Sequence, residues 1–174
     1  MRLTLALLAA LCAAATAEIT AGISAGPVFP AGGWGDNIGS GLDLSVFGRW
    51  MIDGRLGAGP GLSLSMYGDE YDGDASLTVL TPELSAAFHL RPGAGSFSPG
   101  LEAGFGYSRS ELEAGNGSDP ASWDPSWRAG FRWEFGMGAG FRGAAGFDFR
   151  GVLAEGESGD AFALVFRVSR EVLR

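Results

Sequence analysis

The sequence predicts an all-β protein, an eight-stranded antiparallel up-and-down transmembrane β-barrel. Three observations carry this. Apolar residues alternate with small or polar ones along most of the chain from Ile19 to Val168, the period-two pattern of strands with two unlike faces. The alternating stretches are mostly ~10 to 14 residues long, whereas soluble strands average ~5–6 and a tilted membrane strand needs ~9–11. Eight such stretches occur, the number in the smallest common membrane barrels.

The first residues read as a secretory signal. Arg2 gives a positive start, Leu3–Ala14 an apolar run, and Ala15-Thr16-Ala17 a small-residue cleavage site before Glu18. The run is too short to cross a bilayer as a helix. Cys12 lies within it, and Leu11 before it does not suit a lipoprotein site. The expected organisation is therefore residues 1–17 as a cleaved signal peptide and 18–174 as one cysteine-free barrel domain, without disulfides or thiol chemistry.

The strands follow in order. The first, about 18–29, shows Ile19, Ala21, Ile23 and Ala25 on one face. The second, about 38–50, sets Ile38, Leu42, Leu44 and Val46 against Gly39, Gly41, Asp43, Ser45 and Arg49. The third, 55–67, sets Leu56, Ala58, Leu62, Leu64 and Met66 against Gly57, Gly59, Gly61, Ser63 and Ser65. The fourth, 77–90, sets Leu80, Leu84, Ala86, Phe88 and Leu90 against Thr81, Glu83, Ser85 and His89. The fifth, 98–109, sets Leu101, Ala103, Phe105 and Tyr107 against Gly100, Glu102, Gly104 and Gly106.

The sixth shows the pattern best, with Trp127, Ala129, Phe131, Trp133 and Phe135 opposite Arg128, Gly130, Arg132 and Glu134. The seventh, 140–153, sets Phe141, Ala145, Phe147 and Phe149 against Arg142, Ala144, Gly146, Asp148 and Arg150. The eighth, 161–172, sets Phe162, Leu164, Phe166 and Val168 against Ala163, Val165, Arg167 and Ser169. Aromatics opposite arginines mean that one face meets oil and the other meets polar groups.

The connections alternate in kind. Residues 50–54, 91–97 and 136–139 are short or poor in acid, while 30–37, 68–75, 110–124 and 154–160 are longer or more acidic. Membrane barrels show short turns at the periplasmic end and longer loops outside. With the N-terminus inside, the acidic set falls outside throughout. Trp34, Tyr67, Tyr71, Trp123 and Trp127 lie near the acidic rim and Trp50 and Phe97 near the other, as two aromatic girdles at the lipid boundaries would.

Composition narrows the partners. The net charge is −8, and all 12 Lys+Arg residues are arginine, so a nucleic-acid partner is not expected. Glycine contributes 30 residues without a collagen period.

At the fourth and fifth strands the text Leu80-Thr81-Pro82-Glu83-Leu84-Ser85-Ala86-Ala87-Phe88-His89-Leu90, then Ser98-Pro99-Gly100-Leu101-Glu102-Ala103-Gly104-Phe105-Gly106-Tyr107, resembles small bacterial outer-membrane β-barrel proteins. These include the OmpA-type transmembrane domain and the OmpX and OmpW groups. The shared pattern is a proline opening a strand, then alternating apolar and Gly/Ala positions, and it extends over residues 18–174. The resemblance implies an outer-membrane location, contact with outer-membrane lipid and lipopolysaccharide, and insertion by the barrel-assembly machinery. One departure stands out: such proteins usually end in an aromatic residue, and this chain ends Glu171-Val172-Leu173-Arg174.

The inward face carries the candidate site. Asp43, Glu83, Glu102, Glu134 and Asp148 share it with Arg49, Arg128, Arg132, Arg142, Arg150 and Arg167. An eight-stranded lumen is just wide enough for side chains to fill, and buried charges must pair or meet water. Arginine suits such pairing because its planar fork holds a carboxylate at two points. A polar plug is expected, with a narrow ion path or a gate as the functional alternative.

His89 is the only histidine. Ser85 and Glu83 share its face, but at ~13 and ~20 Å along a strand, too far for a catalytic relay. Asp69, Glu70, Asp72 and Asp74 around Gly73 form a candidate weak divalent-ion loop, lacking the full spacing of an EF-hand. No cofactor, metal centre or catalytic residue is expected.

These readings give a monomeric, non-enzymatic outer-membrane barrel with a structural or interaction role. Its acidic loops are available to an extracellular or envelope protein. A narrow channel for small solutes and a soluble secreted barrel holding a small hydrophobic ligand are the alternatives.

Overall fold

The structure, a computed structural model, describes residues 18–32, 38–52, 55–69, 76–90, 98–114, 117–118, 121–153 and 158–173. The expected signal peptide at 1–17, Glu70, Asp72 and Asp74, and the residues Trp34, Tyr71, Phe97 and Arg174 lie outside them. The strands are β1 (Glu18–Gly32), β2 (Ile38–Met51), β3 (Leu56–Asp69), β4 (Ser76–His89), β5 (Ser98–Ala114), β6 (Gly117–Ser118), β7 (Ser122–Gly138), β8 (Phe141–Leu153) and β9 (Ser158–Leu173).

Eight of these form a closed antiparallel barrel. Each pairs with its chain neighbours, β5 with β7, and β1 with β9 closes the ring. The two-residue β6 pairs only with Glu113 and Ala114 of β5. Glu18 and Leu173, the first and last described residues, lie at one end of the barrel, called here the terminal end. The opposite end carries the acidic connections.

Side-chain parity holds around the wall. Ile23, Leu84 and Phe166 point outward at 61, 71 and 62% exposure, while Asp43, Glu102, Arg132 and Asp148 on the other parity are buried. Outward rings touch one another across strands: Phe29 with Phe162, Phe147 with Phe162 and Phe131 with Phe147 stack at 6.0 to 6.5 Å. Such cross-strand pairs stabilise the sheet. A continuous apolar outer wall of this kind is what hydrocarbon solvates and water does not.

Four expectations need correction. Residues 110–124 are not one long loop: β5 runs on to Ala114 and β7 starts at Ser122. The alternation continues there, with Leu112 inward and partly buried and Glu111 and Glu113 exposed. Charged outward residues are compatible with strand once the wall has left the lipid. Loop length is therefore not what separates the two ends. Residues 33–37, 70–75 and 154–157 join strands at the acidic end, and 90–97 at the terminal end is longer than any of them. The asymmetry is one of charge.

Tyr67 is not a girdle residue. It shares parity with Ser63 and Ser65, faces inward and is buried. It belongs to an apolar cluster of Val28, Leu77, Val79, Ala161, Ala163 and Val165, with Ile38 and Leu112 packed on it. The lumen is thus apolar toward the acidic end, which the expectation of a polar interior did not include. Trp123, Trp127 and Trp50 do point outward and are exposed.

The β7–β8 turn shows why glycine is placed where it is. Ala139 and Gly140 both have positive φ, 51 and 77°, the type I′ geometry whose twist matches a hairpin. Gly138 precedes them at φ 84°, beside a register shift between Gly136 and Gly138.

Candidate functional site

Midway down the barrel, inward residues of β2, β4, β5, β7, β8 and β9 converge on a layer of five arginines and four carboxylates. The topology makes this possible. Positions far apart in sequence, such as Asp43 and Arg150 at a separation of 107, face one another only because the sheet closes.

Arg128 on β7 is the hub. Its guanidinium holds Glu83 at two points, Nη2 at 2.5 Å from Oε1 and Nε at 3.1 Å from Oε2. The same Nη2 donates to Glu102 Oε1 at 2.7 Å, and Nη1 to Asp148 Oδ2 at 3.3 Å. Glu102 on β5 is in turn shared by three arginines. Arg167 donates to both its oxygens, at 2.8 and 3.2 Å, and Arg49 Nη2 lies 3.0 Å from Oε1. Arg167 and Arg49 also sit over the ring of Phe47, at 4.2 and 5.2 Å from its centroid, a cation–π arrangement inside the lumen.

Asp148 on β8 anchors the other side. Arg132 Nη2 reaches both its oxygens at 2.6 Å, and Nη1 caps the carbonyls of Phe131 and Phe147 at 3.0 and 2.8 Å. Arg150 bridges Asp148 to Asp43: Nη2 lies 3.4 Å from Asp148 Oδ2 and 2.8 Å from Asp43 Oδ2, and Nη1 donates to Asp43 Oδ1. Ser65 completes Asp43 at 2.8 Å.

Small residues leave the room for these long side chains. Asp148 Oδ1 occupies the place of a side chain at Gly130, 1.9 Å from where a Cβ would stand. Gly130 and Asp148 are register partners, so one residue supplies the carboxylate and its neighbour the space.

Two of the expected network members stand apart. Arg142 is at the terminal rim with half its side chain exposed, and its partner is Glu18 at 3.7 Å. Being near the start of β8, it lies below the charged layer. Glu134 pairs with His89, Oε2 to Nδ1 at 3.5 Å, also toward the terminal end. Ser85 donates to the carbonyl of Gly59 at 3.4 Å, so its hydroxyl is not directed at His89. No nucleophile–base relay forms at these residues.

Phe47 was missed because aromatic residues read as outward. Its parity with Asp43, Ser45 and Arg49 was the signal that would have placed it inside. Among the described residues, no group of three His, Cys, Asp or Glu side chains is placed to hold a metal ion. Asp69 ends β3, but the rest of the candidate divalent-ion loop lies outside the described residues.

Between the charged layer and the apolar cluster lies an internal cavity of about 30 Å³, walled by Ser63, Thr81, Ser108, Ser126, Arg128 and Arg150 among others. It has room for about one water. Thr81 and Ser108, neighbours in its wall, bond to each other at 2.7 Å. Geometrically the layer is a set of paired charges: each of the four carboxylates meets at least one guanidinium, while Arg49 Nη2 and the Nε atoms of Arg49, Arg132, Arg150 and Arg167 have no hydrogen-bond partner among the described residues.

No protein-family model matches the chain, and no curated protein matches it. Solved structures do. Neisserial surface protein A superposes with a TM-score of 0.69 at 14% identity, over 88% of this chain and 96% of that one. The attachment invasion locus protein Ail of Yersinia pestis gives 0.52 at 13% identity, over 88% and 98%. The outer membrane protein OprG of Pseudomonas aeruginosa gives 0.52 at 10% identity, over 90% and 98%. The closed ring, the apolar wall and these likenesses together show that the chain has the fold of the small bacterial outer-membrane β-barrel proteins.

Proposed function

We propose that the protein is an integral outer-membrane barrel with a structural or interaction role, inserted without residues 1–17, sealed to solutes and without enzymatic turnover. The observation that carries this reading is the filled lumen. The charged layer occupies its middle and the apolar cluster of Val28, Tyr67, Leu77 and Val79 lies above it. Neither a solute path nor a cavity for a hydrophobic ligand fits a lumen occupied in this way.

The acidic end is then the part available to partners. Ail was solved in complex with the heparin analogue sucrose octasulfate. The acidic end here, with Glu111, Glu113, Asp124 and Asp160 among its described residues, repels a polyanion, so the partner class is a cationic protein surface or divalent ions shared with lipopolysaccharide.

Cell fractionation with gel mobility before and after heating tests the placement. The expected result is an outer-membrane band that shifts on boiling. A band in the soluble periplasmic fraction, stable without detergent, would overturn it.

A further inference from the structure

The outer wall is not uniform. A shallow groove of about 720 Å³ crosses it, lined mainly by apolar residues such as Ile23, Ala25, Val46 and Phe166, with Ser24, Ser45, Ser63 and Arg167 also contributing. Register pairs trace its course. Val168 lies beside Ile23, Ile23 beside Val46, Ala25 beside Leu44, and Leu44 beside Leu64. Ala25 is the small residue in the row between Phe166 and Leu44, so the floor dips there. The groove starts low on the wall, at Phe135 and Met137 near the β7–β8 turn, and reaches Leu80 of β4 on the acidic half.

At the low end stands a cation. Arg170 follows Val168 on the outward face of β9, one step nearer the terminal end, and is the register partner of Phe141. Its guanidinium carbon lies 5.0 Å from the Phe141 ring centroid, and the residue is exposed. It forms no ion pair with a carboxylate among the described residues. Phe141 beside it is exposed, and Met137, Val172 and Trp50 are exposed apolar residues at the same end of the wall. A guanidinium held at the boundary level by aromatics, with an apolar trough rising from it, has the chemistry of a phosphate group joined to a hydrocarbon chain.

We propose that this face holds one anionic glycerophospholipid, its phosphate on Arg170 and one acyl chain lying in the groove toward β3 and β4. The two halves of the site are complementary in charge and polarity to the two halves of the lipid. Among the described residues the acidic end has no comparable arrangement: Arg109 points outward there but has Glu111 at 3.9 Å, which offsets its charge. The proposal rests on the barrel being in a membrane and not on any role for the lumen.

Native mass spectrometry of the detergent-solubilised, heat-modifiable protein tests it, with phosphatidylglycerol and phosphatidylcholine as competing probes. The wild type is expected to retain one phosphatidylglycerol in preference to phosphatidylcholine. Arg170→Gln is expected to lower that preference about tenfold, the worth of one charge-assisted hydrogen bond, while Arg109→Gln leaves it unchanged. Ala25→Phe, which fills the floor, is expected to shorten retention of both lipids, and glycerol phosphate without chains is expected not to compete. Three results would overturn the proposal: equal retention of the two lipids by the wild type, an unchanged preference in Arg170→Gln, or a two-copy species that excludes lipid from the groove. Heat-modifiability of each variant reports that the barrel is folded, so loss of binding is distinguished from loss of structure.

Discussion

Toward the acidic end the lumen is filled by Val28, Tyr67, Leu77, Val79 and Val165, while the layer below it is filled by arginines and carboxylates. Both regions are buried, and both are built from inward parity positions of the barrel wall. They differ in how each residue depends on its neighbours. An aliphatic side chain in the upper region loses contacts in proportion to its own size when it is truncated. A charge in the lower region is tolerable only while its partners stand beside it, so removing one residue strands several others. The apolar layer is therefore graded in its response and the charged layer all-or-none.

The largest effect expected from this difference is at Glu102, which serves Arg49, Arg128 and Arg167 together. Glu102→Ala leaves three buried guanidinium groups short of a partner and is expected to cost about 3–5 kcal/mol in urea unfolding followed by tryptophan fluorescence. A cost below that of truncating a valine would break the contrast between the layers. Gly130→Ala comes next. Its Cβ would fall 1.9 Å from Asp148 Oδ1, so Asp148 must move and release Arg132, at roughly 1–3 kcal/mol. Val28→Ala in the apolar layer removes two methyl groups from a fully buried site and is expected to cost about 1–2 kcal/mol without altering any charge pair. The smallest effect belongs to Arg109→Gln on the exposed pair with Glu111, within about 0.5 kcal/mol and vanishing in high salt. Urea midpoints across this series, at low and high salt, rank the two layers directly.

The sequence was a good guide to which side of the wall a residue occupies and a poor guide to what it meets there. Trp127 outward and Arg128 inward followed from alternation alone, as did Asp43, Glu83 and Glu102 inward. Tyr67 and Phe47 were misread or missed because residue type was allowed to outweigh parity, although both share parity with inward serines. The extension of β5 to Ala114 was hidden because Glu111 and Glu113 look like loop residues to a reading that expects lipid along the whole strand. The pairings themselves were not legible. Arg128 finds Glu83 and Glu102 at separations of 45 and 26 residues. Which carboxylate each arginine takes is set by register and strand tilt around a closed ring, and alternation along one strand carries no information about that. The apolar upper lumen follows the same rule. Val28, Leu77, Val79 and Val165 lie on inward parity, but only the closed barrel brings them into one cluster.

The central claim is that the lumen is sealed by two layers in series, either of which is enough to block ions. Planar-bilayer conductance of the folded protein, wild type beside Glu102→Gln and beside the triple variant Val28→Ala, Tyr67→Ala and Val79→Ala, tests it most directly. No current steps are predicted for the wild type or for either variant alone, and openings are predicted only when both layers are altered together. Regular openings of the wild type at physiological salt would contradict the sealed lumen.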